Sequence, residues 1–252
     1  MSEPFEPPDR PLHPVPLQSS CAGVRLAALG EVIICSGVPT QIALGWLLVP
    51  LLADDPERGA LTLAVVGPLL LLDTLVVIAL MVWFTRARGE RVRDVWLGSR
   101  GIASEFRVGL LLVPVVFVLA GVLLNAIRLL APALRNVPVN PLEQMATGGA
   151  MEAAIFGVVA VIGGGVREEL QRAFMLRRFE QHLGGAAVGV VLLSLAFGLG
   201  HVQQGLDAVI TTGVLGAFWA VVYLRRRSAV APVVSHAGFN GLEVFRVAIG
   251  GA

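Results

Sequence analysis

The sequence predicts an all-α, polytopic transmembrane helix bundle with about seven membrane helices, and three observations predict it. Hydrophobic residues make up 56% of the 252, and the mean hydropathy is +0.78. Only 15% are charged, against about 25% in ordinary soluble domains. Apolar runs of about 20 residues, the length that crosses a hydrocarbon core, recur along the chain. They are continuous rather than alternating, which speaks against a β-barrel.

Taken in order, the predicted spans are 28–53, 60–84, 107–130, 148–180, 186–203, 207–224 and 228–249. Residues 1–22 combine acidic residues with prolines and lack the basic and apolar regions of a cleaved signal peptide. They read as a disordered cytosolic tail. Residues 23–145 then form a set of N-terminal transmembrane helices, and 146–249 a second helical bundle that holds the polar motifs. Arginine asymmetry orients the whole. The loop with Arg86, Arg88, Arg91, Arg93 and Arg100 is strongly basic, as are Arg177-Arg178 and Arg225-Arg226-Arg227. Seven alternating helices starting from a cytosolic N-terminus put all three clusters on the cytosolic side. The expected location is therefore a multi-pass integral membrane position, in the plasma or inner membrane if the source is bacterial. The tryptophans, mostly near span ends, suit interfacial anchors.

Several function classes drop out. A net charge of +1 gives no case for nucleic-acid binding. Cys21 and Cys35 are too few for a disulfide framework. No internal repeat is evident, so the inverted-repeat logic of many transporters finds little support.

The informative segment is Arg167-Glu168-Glu169-Leu170-Gln171-Arg172, directly after the apolar run from Ala153 to Val166. Ionisable groups inside a bilayer cost several kcal/mol unless they pair or do chemistry. At ~1.5 Å per residue, Glu169 stands roughly 22 Å above the turn at Gly184-Gly185, and His201 on the returning helix roughly 25 Å. His236 lies roughly 14 Å above Arg227, as Glu168 does above Arg178. All four groups are thus expected in one layer. Helical spacing lets Arg172 pair with Glu168 (i,i+4) or Glu169 (i,i+3). His236 and Asn240 are again i,i+4, and Phe197 lies one turn before His201. Gly163-Gly164-Gly165 admits a closely packed helix or lets its own helix bend.

Taken singly, each of these has a plainer reading. The charges suit a solvated helix end, His201 a hydrogen-bonded helix terminus, and His236 with Asn240 polar glue between helices. Matched depth is what joins them. Glu31, Asp73, Glu152, Asp207 and Glu243 lie in or at the ends of spans with no evident partner. Asp207 suits a helix start, while Asn125 and Arg128 are expected to snorkel or bond to a neighbouring helix.

Together these residues resemble the CPBP family of intramembrane proteases, which includes the type II CAAX prenyl endopeptidases and bacteriocin-processing or self-immunity (Abi-like) proteins. Its motifs are Glu-Glu-x-x-x-Arg, Phe-x-x-x-His and His-x-x-x-Asn, in that order. Phe197-Gly-Leu-Gly-His201 and His236-Ala-Gly-Phe-Asn240 match the second and third. The first reads Glu168-Glu169-x-x-Arg172, one residue shorter. Either an intervening residue is missing, or Arg172 is in register and Arg167 and Glu168 stand at the paired positions. The resemblance covers roughly 150–245, making 146–249 the catalytic bundle.

The resemblance implies an endopeptidase that hydrolyses a peptide bond of a membrane-associated or lipidated substrate with glutamate-activated water. Glu168 or Glu169 would be the base, His201 would orient the water, and His236 and Asn240 would stabilise the oxyanion. Arg172 would hold the glutamate pair. No metal or cofactor is required; a zinc version would use Glu168, His201 and His236. The competing readings are a catalytically degraded membrane scaffold or immunity protein of the same fold, and a small transporter.

Overall fold

The computed structural model describes residues 22–52 and 62–250, and all their regular structure is helical. The predicted tail lies outside the described residues, apart from Ala22, which opens the first helix. The chain forms α1 (Ala22–Ile34), α2 (Val38–Leu52), α3 (Leu63–Ala87), the short α4 (Val92–Trp96) and α5 (Ile102–Leu130). After the short α6 (Pro141–Gln144) come α7 (Ala150–Val159), a π-helical segment (Ala160–Arg167) and α8 (Glu168–His182). The C-terminal part adds α9 (Ala186–Leu199), α10 (Leu206–Arg226) and α11 (Val230–Gly250).

Each of the seven expected runs is helical over most of its length. Four stretches are long and apolar enough to cross a membrane: α3, α5, the continuous Ala150–His182 and α10. A fifth is added if α1 and α2 count as one span bent by 41°. α9 is apolar but shorter, and α11 is diluted by His236, Asn240, Glu243 and Arg246. The bend inside the first expected span has a local cause. The Ser36 hydroxyl donates to the Ile33 carbonyl at 2.7 Å and accepts from the Val38 N–H at 3.2 Å, competing with the helical ladder. Gly37 then takes a φ of +83°, which a side chain would resist.

Helices meet where side chains are missing, as is usual when lipid supplies no hydrophobic drive for helix association. A methyl at Gly109 of α5 would lie 2.6 Å from the Val234 Cβ of α11. At Gly165 it would lie 2.5 Å from the Ala237 Cα. α9 and α10 touch at Gly198, where a Cβ would fall 2.5 Å from the Val209 carbonyl oxygen. Because α5 and the π-helical segment both pack on α11, residues 23–145 and 146–249 share one core.

The three arginine clusters gather at one end of this bundle, tied by acids from several helices. Arg88 meets Glu31 at 2.7 Å, and Arg178, fully buried, meets Glu31 at 2.6 Å and Glu90 at 3.0 Å. Arg177 shares Glu90 at 3.0 Å, Arg226 holds the buried Glu105 at 2.6 Å, and Arg227 holds Glu180 at 2.6 Å. Buried charges must be matched in this way, since a lone one is costly. Burial pushes the Glu90 carboxyl up, but Arg178 and Arg177 outweigh it and hold the group below its ordinary value.

Two predictions follow from packing and charge. Gly165→Ala, forced against backbone, should destabilise the detergent-solubilised protein by about 1–3 kcal/mol. Gly121→Ala, with open space around it, should be neutral in the same melting experiment. A lowered carboxyl pKa gives stability that is present above the unfolded value and lost as pH falls through the folded one. Acidification below the ordinary 4.5 should therefore lower the melting temperature less in Glu90→Gln than in the parent.

Candidate active site

The site is built around the π-helical segment Ala160–Arg167, whose wide winding is gripped between α3 and α11 through three consecutive glycines. A Cβ on Gly163 would lie 2.5 Å from Leu70 of α3, on Gly164 2.5 Å from Asn240 Nδ2, and on Gly165 against Ala237. Asn240 donates to the Ala160 carbonyl at 3.1 Å, satisfying a backbone acceptor at the start of the segment. Such π turns interrupt helices mostly at functional places.

Regular α-helix resumes at Glu168, and the two adjacent carboxylates point in different directions. Glu169 is sealed, its side chain only 1% exposed. Its Oε1 accepts from Arg172 Nη1 and from His236 Nδ1, the latter at 2.8 Å. Glu168 is 20% exposed; its Oε2 stands 3.9 Å from His236 Nε2, and its Oε1 4.0 Å from Arg167 Nη2. His236 therefore has one carboxylate facing each ring nitrogen. The pairing of Arg172 is with Glu169, not Glu168.

Aromatic rings fix the imidazole. Trp219 stacks on His236 with ring centres 3.9 Å apart and planes 15° from parallel, while Phe197 meets it edge-on at 6.0 Å. Arg172 lies 4.6 Å over the Phe197 ring, a cation–π contact that adds to its ion pair. His201 follows the end of α9 and packs against Phe197 at 4.8 Å. Its Nδ1 lies 2.8 Å from the Phe197 carbonyl oxygen. That oxygen can only accept, so Nδ1 carries the proton, and in the neutral ring Nε2 is left with a lone pair.

Glu168, His201, His236, Asn240, Phe197 and Trp219 all line one cavity of ≈ 660 Å³. Of the four groups expected in one layer, Glu168, His201 and His236 thus line one cavity, and Glu169 is bonded to His236 behind it. Of the six residues singled out, four face the cavity, and Glu169 and Arg172 stand behind them. Among the described residues no three His, Cys, Asp or Glu side chains are arranged to hold a metal ion. Glu168, His201 and His236 share the cavity without converging as a ligand set.

Arg167, the other charged residue of the motif, turns away from the cavity. It is 5% exposed and pairs with the wholly buried Asp73 of α3. Asp73 also accepts from Thr40 Oγ1 and, at 3.1 Å, from Gln41 Nε2 of α2. Sequence reasoning left Asp73 without a partner because Arg167 is on another helix, 94 residues away. Glu31, Asp207 and Glu243 likewise have partners: Asp207 holds Arg128 at 2.8 Å, and Glu243 holds Arg246 at 2.8 Å. Asn125 bonds back to the Gly121 carbonyl of its own helix at 2.8 Å. One signal was available for Asp73, namely a single acid in the middle of an otherwise apolar helix.

A cavity lined by a carboxylate and two imidazoles, set among membrane-spanning helices, defines a membrane-embedded site suited to acid–base chemistry. Residues 150–242 match the model of the type II CAAX prenyl endopeptidase Rce1-like family. The matched segment begins with α7 and supplies every residue from Glu168 to Asn240, in accord with the resemblance to the CPBP intramembrane proteases. No curated protein and no solved structure matched the chain.

The Arg167–Asp73 pair can be tested without any substrate. Asp73→Ala leaves a buried guanidinium uncompensated and should cost about 3–5 kcal/mol. Asp73→Leu combined with Arg167→Met removes both charges, and its melting temperature should recover most of that loss.

Proposed function

We propose that this protein is an intramembrane endopeptidase of the glutamic type, with Glu168 as the general base. The observation that carries the proposal is the division of labour between adjacent glutamates. Glu168 faces the cavity beside both histidines, while Glu169 is buried against Arg172 and His236. The pair that acts is then Glu168-Glu169, with Arg167 serving as a structural anchor to Asp73.

The 3.9 Å gap between Glu168 Oε2 and His236 Nε2 is too long for a direct hydrogen bond and suits a bridging water. Glu168 takes one proton from that water as its oxygen attacks the scissile carbonyl carbon. The Nε2 lone pair of His201 accepts the water's other proton in a hydrogen bond and aims the oxygen. As the tetrahedral oxyanion forms, donors pointing at it lower the barrier. His236, oriented through Nδ1 by Glu169, supplies one when its Nε2 carries a proton, and the second N–H of the Asn240 amide supplies another. When the C–N bond breaks, Glu168 returns its proton to the leaving amine, so the carboxylate is regenerated. Water supplies both the oxygen gained by the new acid and the hydrogen gained by the new amine.

The substrate is a peptide segment at or in the bilayer, lipidated or not, and no nucleic acid is involved. The helices are multi-pass in the membrane, with the N-terminus on the cytosolic side.

The test is cleavage of a quenched peptide library by protein in lipid vesicles. Glu168→Gln should reduce cleavage roughly 100- to 10,000-fold with an unchanged melting temperature. Glu169→Gln should lower both, because it removes the carboxylate that pairs with the buried Arg172. Full activity in Glu168→Gln would sink the assignment of the base. Binding of peptides without cleavage of any would favour a scaffold of the same fold, and loss of cleavage on adding a chelator would favour the zinc version.

A further inference from the structure

We propose that the arginine-rich end of the bundle is a binding rim for anionic phospholipid, which it selects over lipids with zwitterionic headgroups. The proposal is independent of the protease reading and of the cavity.

The arginines at this end fall into two sets. The inner set is committed to acids: Arg88 and Arg178 to Glu31, Arg177 and Arg178 to Glu90, Arg226 to Glu105, and Arg227 to Glu180. Those carboxylates have no charge to spare for anything further out. The outer set is Arg86, Arg91, Arg93, Arg107 and Arg225, all exposed. None of these five meets an acid among the described residues. Beside them stands one exposed acid, Asp94, so the surface keeps a clear excess of positive charge.

Chain geometry gathers the outer set in one region. Arg86 lies in the last turn of α3, Arg91 and Arg93 at the start of α4, and Arg107 in the second turn of α5. The end of α10 joins them, because Arg100 donates to the Arg226 carbonyl at 3.2 Å and the Ala229 N–H to the Trp96 carbonyl at 2.7 Å. Aromatic rings beside these arginines are exposed as well. Trp83, about one turn before Arg86, is 62% exposed, and Phe106, adjacent to Arg107, is 48% exposed. Rings that meet acyl chains next to cations that reach outward are the pattern of a headgroup layer.

The side-chain chemistry narrows the ligand. Lysine is absent from the chain, and a guanidinium offers a planar fork that takes two oxygens of one phosphate. Orienting the helices needs only positive charge near their ends. Exposed arginines without acids do more, because clusters of this kind beside a membrane helix attract anionic headgroups.

Quenching of tryptophan by brominated lipids tests this in vesicles whose two leaflets have the same composition. Trp83 and Trp46 are exposed, whereas Trp96 and Trp219 are buried. Trp46 reports on the other end of the bundle. A methyl on the neighbouring Gly45 would lie 4.0 Å from Leu69, which stands roughly 21 Å from Trp83 along α3. Trp46→Phe leaves Trp83 as the exposed reporter, and Trp83→Phe leaves Trp46. Brominated phosphatidylglycerol should quench Trp83 as if bound about fivefold more tightly than brominated phosphatidylcholine, the factor for one well-placed arginine. At Trp46 the two lipids should quench alike. Arg86→Gln, Arg91→Gln, Arg93→Gln and Arg225→Gln combined should abolish the preference at Trp83 with an unchanged melting temperature, and high salt should weaken it. Equal quenching of Trp83 by the two lipids overturns the proposal and leaves the rim to a soluble acidic partner. A preference that survives the fourfold substitution, or one that is as strong at Trp46, overturns it too.

Discussion

One buried carboxylate organises the centre of this molecule. Glu169 accepts from Arg172 on its own helix and from His236 on α11, so a single anion fixes a cation within α8 and an imidazole across the bundle. An unpaired charge in this position would be prohibitive. The consequences spread outward from it. Arg172 lies over Phe197, which places α9 and therefore His201. His236 stacks on Trp219, which places α10. Four helices of the matched segment thus meet through one group that never touches the cavity.

The π-helical segment complements this anchor. Its widened winding ends at Arg167, and α-helix resumes at Glu168, so the two carboxylates emerge already split between cavity and interior. Three glycines make the winding tolerable to its neighbours, and Asn240 holds its first carbonyl. Arg167 then ties the same segment to Asp73 and through it to α2. The N-terminal helices, which lie outside the matched family segment, are in this way part of the same electrostatic frame.

Much of this was legible in the sequence, for identifiable reasons. Hydropathy alone revealed the helices, because a bilayer demands long uninterrupted apolar runs. Depth counting grouped Glu168, His201 and His236, and all three line one cavity, because helix rise is nearly constant over the fifteen or so residues that separate each from its turn. What failed depended on direction or on distance in sequence. Spacing allowed Arg172 to pair with Glu168 or Glu169, and only the folded structure, with Glu169 turned inward toward His236, decides for Glu169. The break at Ser36-Gly37 was invisible to a hydropathy window, since small residues do not lower it enough. The partners of Asp73, Glu31 and Asp207 were missed because each sits on a distant helix, where no local periodicity points.

The layering along α8 and α10 carries a consequence of its own. The cavity lining on these helices includes Glu168 and Trp219, the next turns pack Phe174, Leu176 and Ala220 into a dry cluster, and Arg178 and Arg226 follow with their acids. A membrane keeps its ion gradients only where no aqueous thread crosses it, and this dry stratum is the part of the bundle that opposes one.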